Sequence, residues 1–353
     1  MSVEVATVDM AAPDDVEALS TALDALGPVR RLALLAKLEA QPGREDAARL
    51  AARRAIERLL EVRGLAERAL VLLAVGCEGV ATPFAQLIVE TPADGGVDPE
   101  APRLAIGLAH SGLVPRGEHG TRALVDRVAD TVRQALADGA LMPAQVALAL
   151  VKCPVVPARI VGATDDQRAL PRGRAIAALG AGIALGEIAP THVSETAIAR
   201  DLDLFARRAM TFAGPELARV EAVVLGNRPG GGGLLQAVSA QLADILDGAG
   251  IRRMLDAAGV PLDRWGELVD PGAVPALFLK AGVARDGYVR GGRTTVYSGG
   301  LPPDWHMRAA ASGMVGALLG HTRCFVSGDP IQQARPGGAI AAAIVRVGDA
   351  GRR

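Results

Sequence analysis

Short apolar runs that end in a lone lysine recur three times along the chain. They read RLALLAKLE at 31–39, VALALVKCP at 146–154 and VPALFLKAG at 274–282. Each has the length and the bounded apolar character of a buried strand, although the first would also suit a helix. A lysine closing such a run is unusual, because lysine is seldom buried without a reason. After each lysine comes an arginine that opens an Ala/Gly-rich helical stretch: Arg49 in ARLAARRAIERLL, Arg174 in GRAIAALGAGIALGE and Arg308 in MRAAASGMVGALLGH. The last two align without a gap over about a dozen residues and both reach Leu-Gly, at 185–186 and 319–320. Their small residues allow a helix to lie close against a sheet. A third pattern follows, an apolar strand running into a glycine turn: ALVLLAVGCEG at 69–79, VEAVVLGNRPGGGG at 220–233 and RCFVSGDP at 323–330. The repeated order predicts three divergent copies of one α/β unit, arranged pseudo-symmetrically around a central axis. Pro/Gly-rich segments at 91–102 and 247–261 mark the joins, giving units 1–104, 105–250 and 251–353.

Composition narrows the function. Half of the 353 residues are hydrophobic but only 3% are aromatic, so the core is expected to be Ala, Val, Leu and Ile. Lys plus Arg number 38 against 39 for Asp plus Glu, which leaves no basic surplus for nucleic acid or an anionic membrane. The N-terminus lacks the order of a signal peptide, and no run approaches the roughly 18 apolar residues of a membrane span. Cys77, Cys153 and Cys324 lie far apart and read as reduced thiols of a cytoplasmic protein. There is no CxxC and no histidine cluster, so neither a metal nor another cofactor is expected. The run 229–233, PGGGG, lacks the Lys-Ser/Thr of a phosphate loop and the GxGxxG spacing, and reads as a permissive turn.

Three-fold symmetry would bring Lys37, Lys152 and Lys280 together with Arg49, Arg174 and Arg308. Arginine presents a rigid fork of donors to flat, oxygen-bearing acceptors. A lysine desolvated among other cations is driven toward its neutral form, in which it can take a proton from a serine hydroxyl. The set suits a small planar ring carrying several carbonyls. Plainer readings stand beside this one. A lysine at a strand end often snorkels to water, an arginine at a helix start is often a surface residue, and Arg172 could take the part of Arg174. Cys77 reads as a small buried thiol more readily than as a nucleophile, and the five histidines show no triad-like pattern.

These segments, together with 106–136 and the stretch from YVRGGRTTVYS through FVSGDPIQQARPGGAIAAAIVR, resemble the ring-opening amidohydrolases, the cyanuric acid hydrolase and barbiturase family. The resemblance runs over nearly the whole length. It implies the three-repeat fold of that family, a central site to which each repeat gives a lysine, an arginine and a serine, and a homotetramer. Departures are visible. Where the family has Ser-Gly-Gly-Thr-Glu-Gly, this chain has Ala74-Val75-Gly76-Cys77-Glu78-Gly79. The second serine position, which generally holds the nucleophile, aligns with Arg228, and only Ser327 in the third repeat remains. A family loop that holds a metal through a glutamate has Ile331-Gln332 where Glu-His is usual.

The resulting expectation is hydrolysis of a small cyclic amide, imide or ureide. Ser327 would be nucleophile or proton carrier, with Lys280 as its base and Lys37 and Lys152 supplying positive charge. Arg49, Arg174 and Arg308 would hold ring carbonyls, Arg228 an extra carboxylate or phosphate, and backbone N–H groups near Val75 and Gly328 the oxyanion. The alternatives are an enzyme that forms or rearranges an amide, and an inactive homologue that binds a small anion.

Overall fold

The computed structural model describes residues 1–39, 45–92 and 100–348. Most of the expected join at 91–102 lies outside them. Three units follow one plan of strand, helix, strand, helix, strand, strand. The first contains β1 (Ser2–Asp9), α1 (Glu17–Leu26), β2 (Arg31–Leu38), α2 (Glu45–Val62), β3 (Ala69–Val75) and β4 (Phe84–Thr91). The second contains β5 (Arg103–His110), α3 (Arg122–Asp138), β6 (Val146–Pro154), the one-turn α4 (Asp165–Arg168), α5 (Leu170–Ala184), β7 (Ala209–Gly214) and β8 (Glu221–Arg228). The third contains β9 (Leu235–Leu242), α6 (Gly248–Ala257), β10 (Ala276–Ala281), the hairpin β11 (Tyr288–Val289) and β12 (Gly292–Arg293), α7 (Pro303–Leu319), β13 (Phe325–Gly328) and β14 (Ala339–Arg346).

Sheet order makes the repetition explicit. The three sheets run β1-β4-β2-β3, β5-β8-β6-β7 and β9-β14-β10-β13. In each, the lysine strand is parallel to the strand that follows its arginine helix and antiparallel to the last strand. Two features differ from the sequence reading. The third sheet includes β9, so by sheet membership the third unit starts after Arg228 and not at 251. The second copy of the glycine-turn strand is β7, whereas the run at 220–228 forms β8, the antiparallel neighbour.

Strand alternation decides where each lysine points. Residues Ala33 and Leu35 of β2, Leu148 and Leu150 of β6, and Ala276 and Phe278 of β10 share one apolar cluster fed by all three sheets. Lys37, Lys152 and Lys280 continue those same alternating sets, so each strand aims its lysine at the axis. The opposite faces pack under helices, for example Leu32 and Leu34 with Leu19 and Ile56. Burial on both faces explains why these strands read as continuous apolar runs. Four phenylalanines gather near the axis, where Phe325 meets Phe84, Phe212 and Phe278 edge to face. Among the described residues no helix is long and apolar enough to cross a membrane.

Candidate active site

At the lysine ends of the three sheets lies a polar cavity of about 80 Å³. Arg49, Arg174 and Arg308 line it, with Lys280, Ser327, Gly328, Ala74, Val75 and residues sequence reasoning missed: Leu73, Leu170, Phe212, Ala213 and Asp304. Strand register sets the centre. Opposite Lys37 stands Ala74, opposite Lys152 stands Phe212 and opposite Lys280 stands Ser327. Thus three equivalent lysines face a methyl group, a phenyl ring and a hydroxyl. Arg228 does not belong here. It lies seven residues along β8 from Glu221, the partner of Lys152, roughly 23 Å away at strand spacing.

The lysines are almost wholly buried, and each has a different environment. Lys280 Nζ donates to Thr211 O at 2.8 Å, lies 3.2 Å from Ser327 Oγ and sits 4.8 Å from the centre of the Phe212 ring. Burial, reinforced by the Arg174 charge, pushes its amine well below the ordinary lysine range, with Asp329 and Asp304 opposing. Lys152 donates to Leu73 O and makes an ion pair with Glu216, whose side chain is fully buried. Burial lowers this lysine too, against the pull of Glu216. Burial alone would raise the Glu216 carboxyl, but the Lys152 ammonium and Arg49 hold it below its usual value. Lys37 lies 3.4 Å from Val75 O and has no hydroxyl opposite; burial, with Arg308 and Arg49 adding to it, brings it down to about 8. Cys77 is pushed up to about 11 by burial, which favours its thiol form.

Carboxylates link the units in rotation. Glu78 of the first unit takes both arms of Arg308 of the third at 2.5 Å. Asp329 of the third meets Arg174 of the second at 2.9 Å, and Glu216 of the second lies within electrostatic reach of Arg49 of the first. Asp304 stands between Arg174 and Arg308, at 3.8 and 3.9 Å. The turns after the facing strands are shaped for this. Gly76 has φ +115°, and a Cβ there would come within 2.5 Å of Arg308 Nε; one at Gly214 would come within 2.0 Å of Glu216 Oε2. The shared Gly-X-Glu of 76–78 and 214–216 was the signal that could have identified β7 as the second copy.

The loop after Ser327 does not fit a metal. Gln332 is buried; its Nε2 donates to Ala197 O and Asp201 O at 3.1 and 2.7 Å, and its Oε1 accepts from Ala199 N at 3.0 Å. With the amide committed to backbone at both ends and no carboxylate in its place, the loop is tied down by hydrogen bonds. Gln333 extends the tie, since its Oε1 accepts from Thr211 N at 2.7 Å. Thr211 is the residue whose carbonyl holds Lys280.

Comparison with known proteins gives one answer. The family model described as amidohydrolase ring-opening protein matches residues 4–346. A cyclic amide hydrolase of Azorhizobium caulinodans is 33% identical over 366 residues, covering 98% of this chain and all of that one. Barbiturase 1 of a Nocardioides species is 28% identical, covering 98% of this chain and 99% of its own. The crystal structure of cyanuric acid hydrolase from A. caulinodans superposes with a TM-score of 0.88 at 31% identity, over 98% of this chain and 99% of that one.

Proposed function

Because the chain belongs to the ring-opening amidohydrolase family, we propose that it hydrolyses a C–N bond in a small cyclic amide, imide or ureide, with Ser327 as nucleophile and Lys280 as base. The observation that carries this is the approach of Lys280 Nζ to Ser327 Oγ, 3.2 Å, on adjacent parallel strands beside Arg174. The neutral amine takes the serine proton as Oγ bonds to a ring carbonyl carbon. The carbonyl oxygen becomes an oxyanion, stabilised by the surrounding guanidinium groups and by N–H donors near Val75 and Gly328. Collapse breaks the ring C–N bond, and the Lys280 ammonium returns the proton to the departing nitrogen. Water, deprotonated by the same amine, then releases the opened acid and restores the serine.

Lys152, paired with Glu216, is a fixed charge in this scheme, and Lys37, facing Ala74, adds a field from behind. One hydroxyl, one phenyl ring and one methyl group around a pseudo-three-fold axis suit a ring that is itself asymmetric, which sets cyanuric acid below imides and ureides as a substrate. The homotetramer and cytoplasmic residence expected from the sequence belong to the same proposal. The test is ultraviolet loss on incubating wild type and S327A with barbituric acid, cyanuric acid and a panel of cyclic imides. Turnover by wild type alone supports the assignment. Tight binding without turnover in either protein would favour the second reading, an anion-binding homologue, for which Ala74 and Phe212 opposite two of the lysines are the supporting observation.

A further inference from the structure

At the other end of the second sheet, far from the cavity, two arginines stand opposite each other, and no ion pair to a carboxylate is seen for either among the described residues. Arg103 opens β5 and is in register with Arg228 at the end of β8. Arg103 is only 4% exposed, yet its Nε and Nη2 have no hydrogen-bond partner, and Nη1 reaches only Pro102 O at 3.4 Å. Arg228 is half-buried: its Nε is buried and unpartnered, while Nη1, on the exposed side, reaches Pro229 O at 3.4 Å. Among the described residues, neither makes an ion pair with a carboxylate. The glycine run folds over them. A Cβ at Gly231 would fall 2.8 Å from Arg103 Cβ, and Gly230 adopts φ +75° with Arg228 Nη1 beyond it. The N-terminal residue is fixed alongside, since Gly232 N donates to Met1 O.

A buried lysine in this position could shed its proton, but a guanidinium cannot. Two such cations on neighbouring strands repel each other, and unpaired donors in a dry environment are costly. A counter-ion with several acceptor oxygens answers both problems through charge-assisted bonds to two forks at once. We propose that Arg103 and Arg228, under the 229–233 loop, form a binding site for a small tetrahedral oxyanion of the phosphate or sulfate type. The site is separate from the central cavity and independent of the reaction proposed for it.

The experiment is thermal unfolding of the full-length protein in 0–20 mM inorganic phosphate, with sodium chloride holding ionic strength constant and with sulfate and acetate arms. The Tm of wild type rises by several degrees and saturates with phosphate and with sulfate. R103M, which removes the unpaired charge, melts at or above wild type without phosphate and shows no rise with it; R228Q shows a rise displaced to higher concentration. Should R103M not fold, phosphate titration of wild type and R228Q by calorimetry carries the same comparison. A rise that survives R103M would put the anion elsewhere on the protein, and a response to acetate alone would put a carboxylate in the site. Either result, or no response to any anion, overturns the proposal.

Discussion

Replacing Lys280 with methionine keeps the length and volume of the side chain and removes its amine. Three terms change. Thr211 O loses the donor at 2.8 Å, a buried acceptor left open at about 1–3 kcal/mol. Against this, the desolvation that holds the amine far below its usual pKa disappears, which stabilises the variant. The opposed terms leave folding stability close to wild type. The third term is chemical: Ser327 loses the amine 3.2 Å from its hydroxyl. Loss of a positioned base lowers rate by about 10²–10⁴, or about 3–5 kcal/mol in the barrier. The assay is kcat/KM for ring opening beside a melting curve for K280M, S327A and the double variant. If the two residues act as one unit, the double variant is no slower than the slower single one. K37M, whose amine faces Ala74, loses less. Multiplying losses in the double variant, or K280M turnover within tenfold of wild type, would refute the dyad.

Three further outcomes follow from the same geometry. Activity should rise with pH through the depressed pKa of Lys280 and then level, because only its neutral form accepts the serine proton, and S327A should show no such limb in any residual rate. Stability should respond to Lys37. Its folded value of about 8 lies below the unfolded value of about 10.4, so between these the unfolded chain holds more protons and unfolding free energy rises with pH. The raised thiols Cys77 and Cys324 pull the opposite way, so the wild-type minus K37M difference in urea denaturation at pH 8, 9 and 10 is the quantity to read; a flat difference contradicts the burial argument. E216Q should strip Lys152 of its counter-charge and destabilise by about 3–5 kcal/mol in urea unfolding, with most of that recovered in E216Q/K152M. G76A should lower Tm and raise KM by displacing Arg308 from Glu78, whereas G27A, also at positive φ but with open space around it, should affect Tm alone.

The parts of this site that depend on local pattern were legible in the chain. Alternation carried Lys37, Lys152 and Lys280 to the inner face, and each Ala/Gly-rich stretch became the helix that carries its arginine. What depended on sheet order was not legible. Alignment with the family's second serine position points to Arg228 as a site residue, but strand order puts β7 beside β6 and Phe212 opposite Lys152. MTFAG carries neither a serine nor a long glycine turn, and its one local mark is the Gly-X-Glu it shares with 76–78. Glu78 and Asp329 were hidden because each meets an arginine of another unit, at distances that only closure of the three units sets, while the Glu216 contact with Lys152 of its own unit depends on β7 lying beside β6. The third unit began earlier than expected for a similar reason. Pro/Gly content marks loops, whereas membership of β9 is decided by its pairing with β14.

In the proposed reaction Ser327 forms a covalent bond to the substrate. Acid quench during the first turnovers with a substrate from the imide and ureide panel, followed by peptide mass analysis, tests it directly. An added mass equal to the opened ring is expected on the peptide containing Ser327, absent from S327A and greatly reduced in K280M. An adduct on another residue, or rapid turnover with Ser327 unmodified at every quench time and S327A still active, would contradict it.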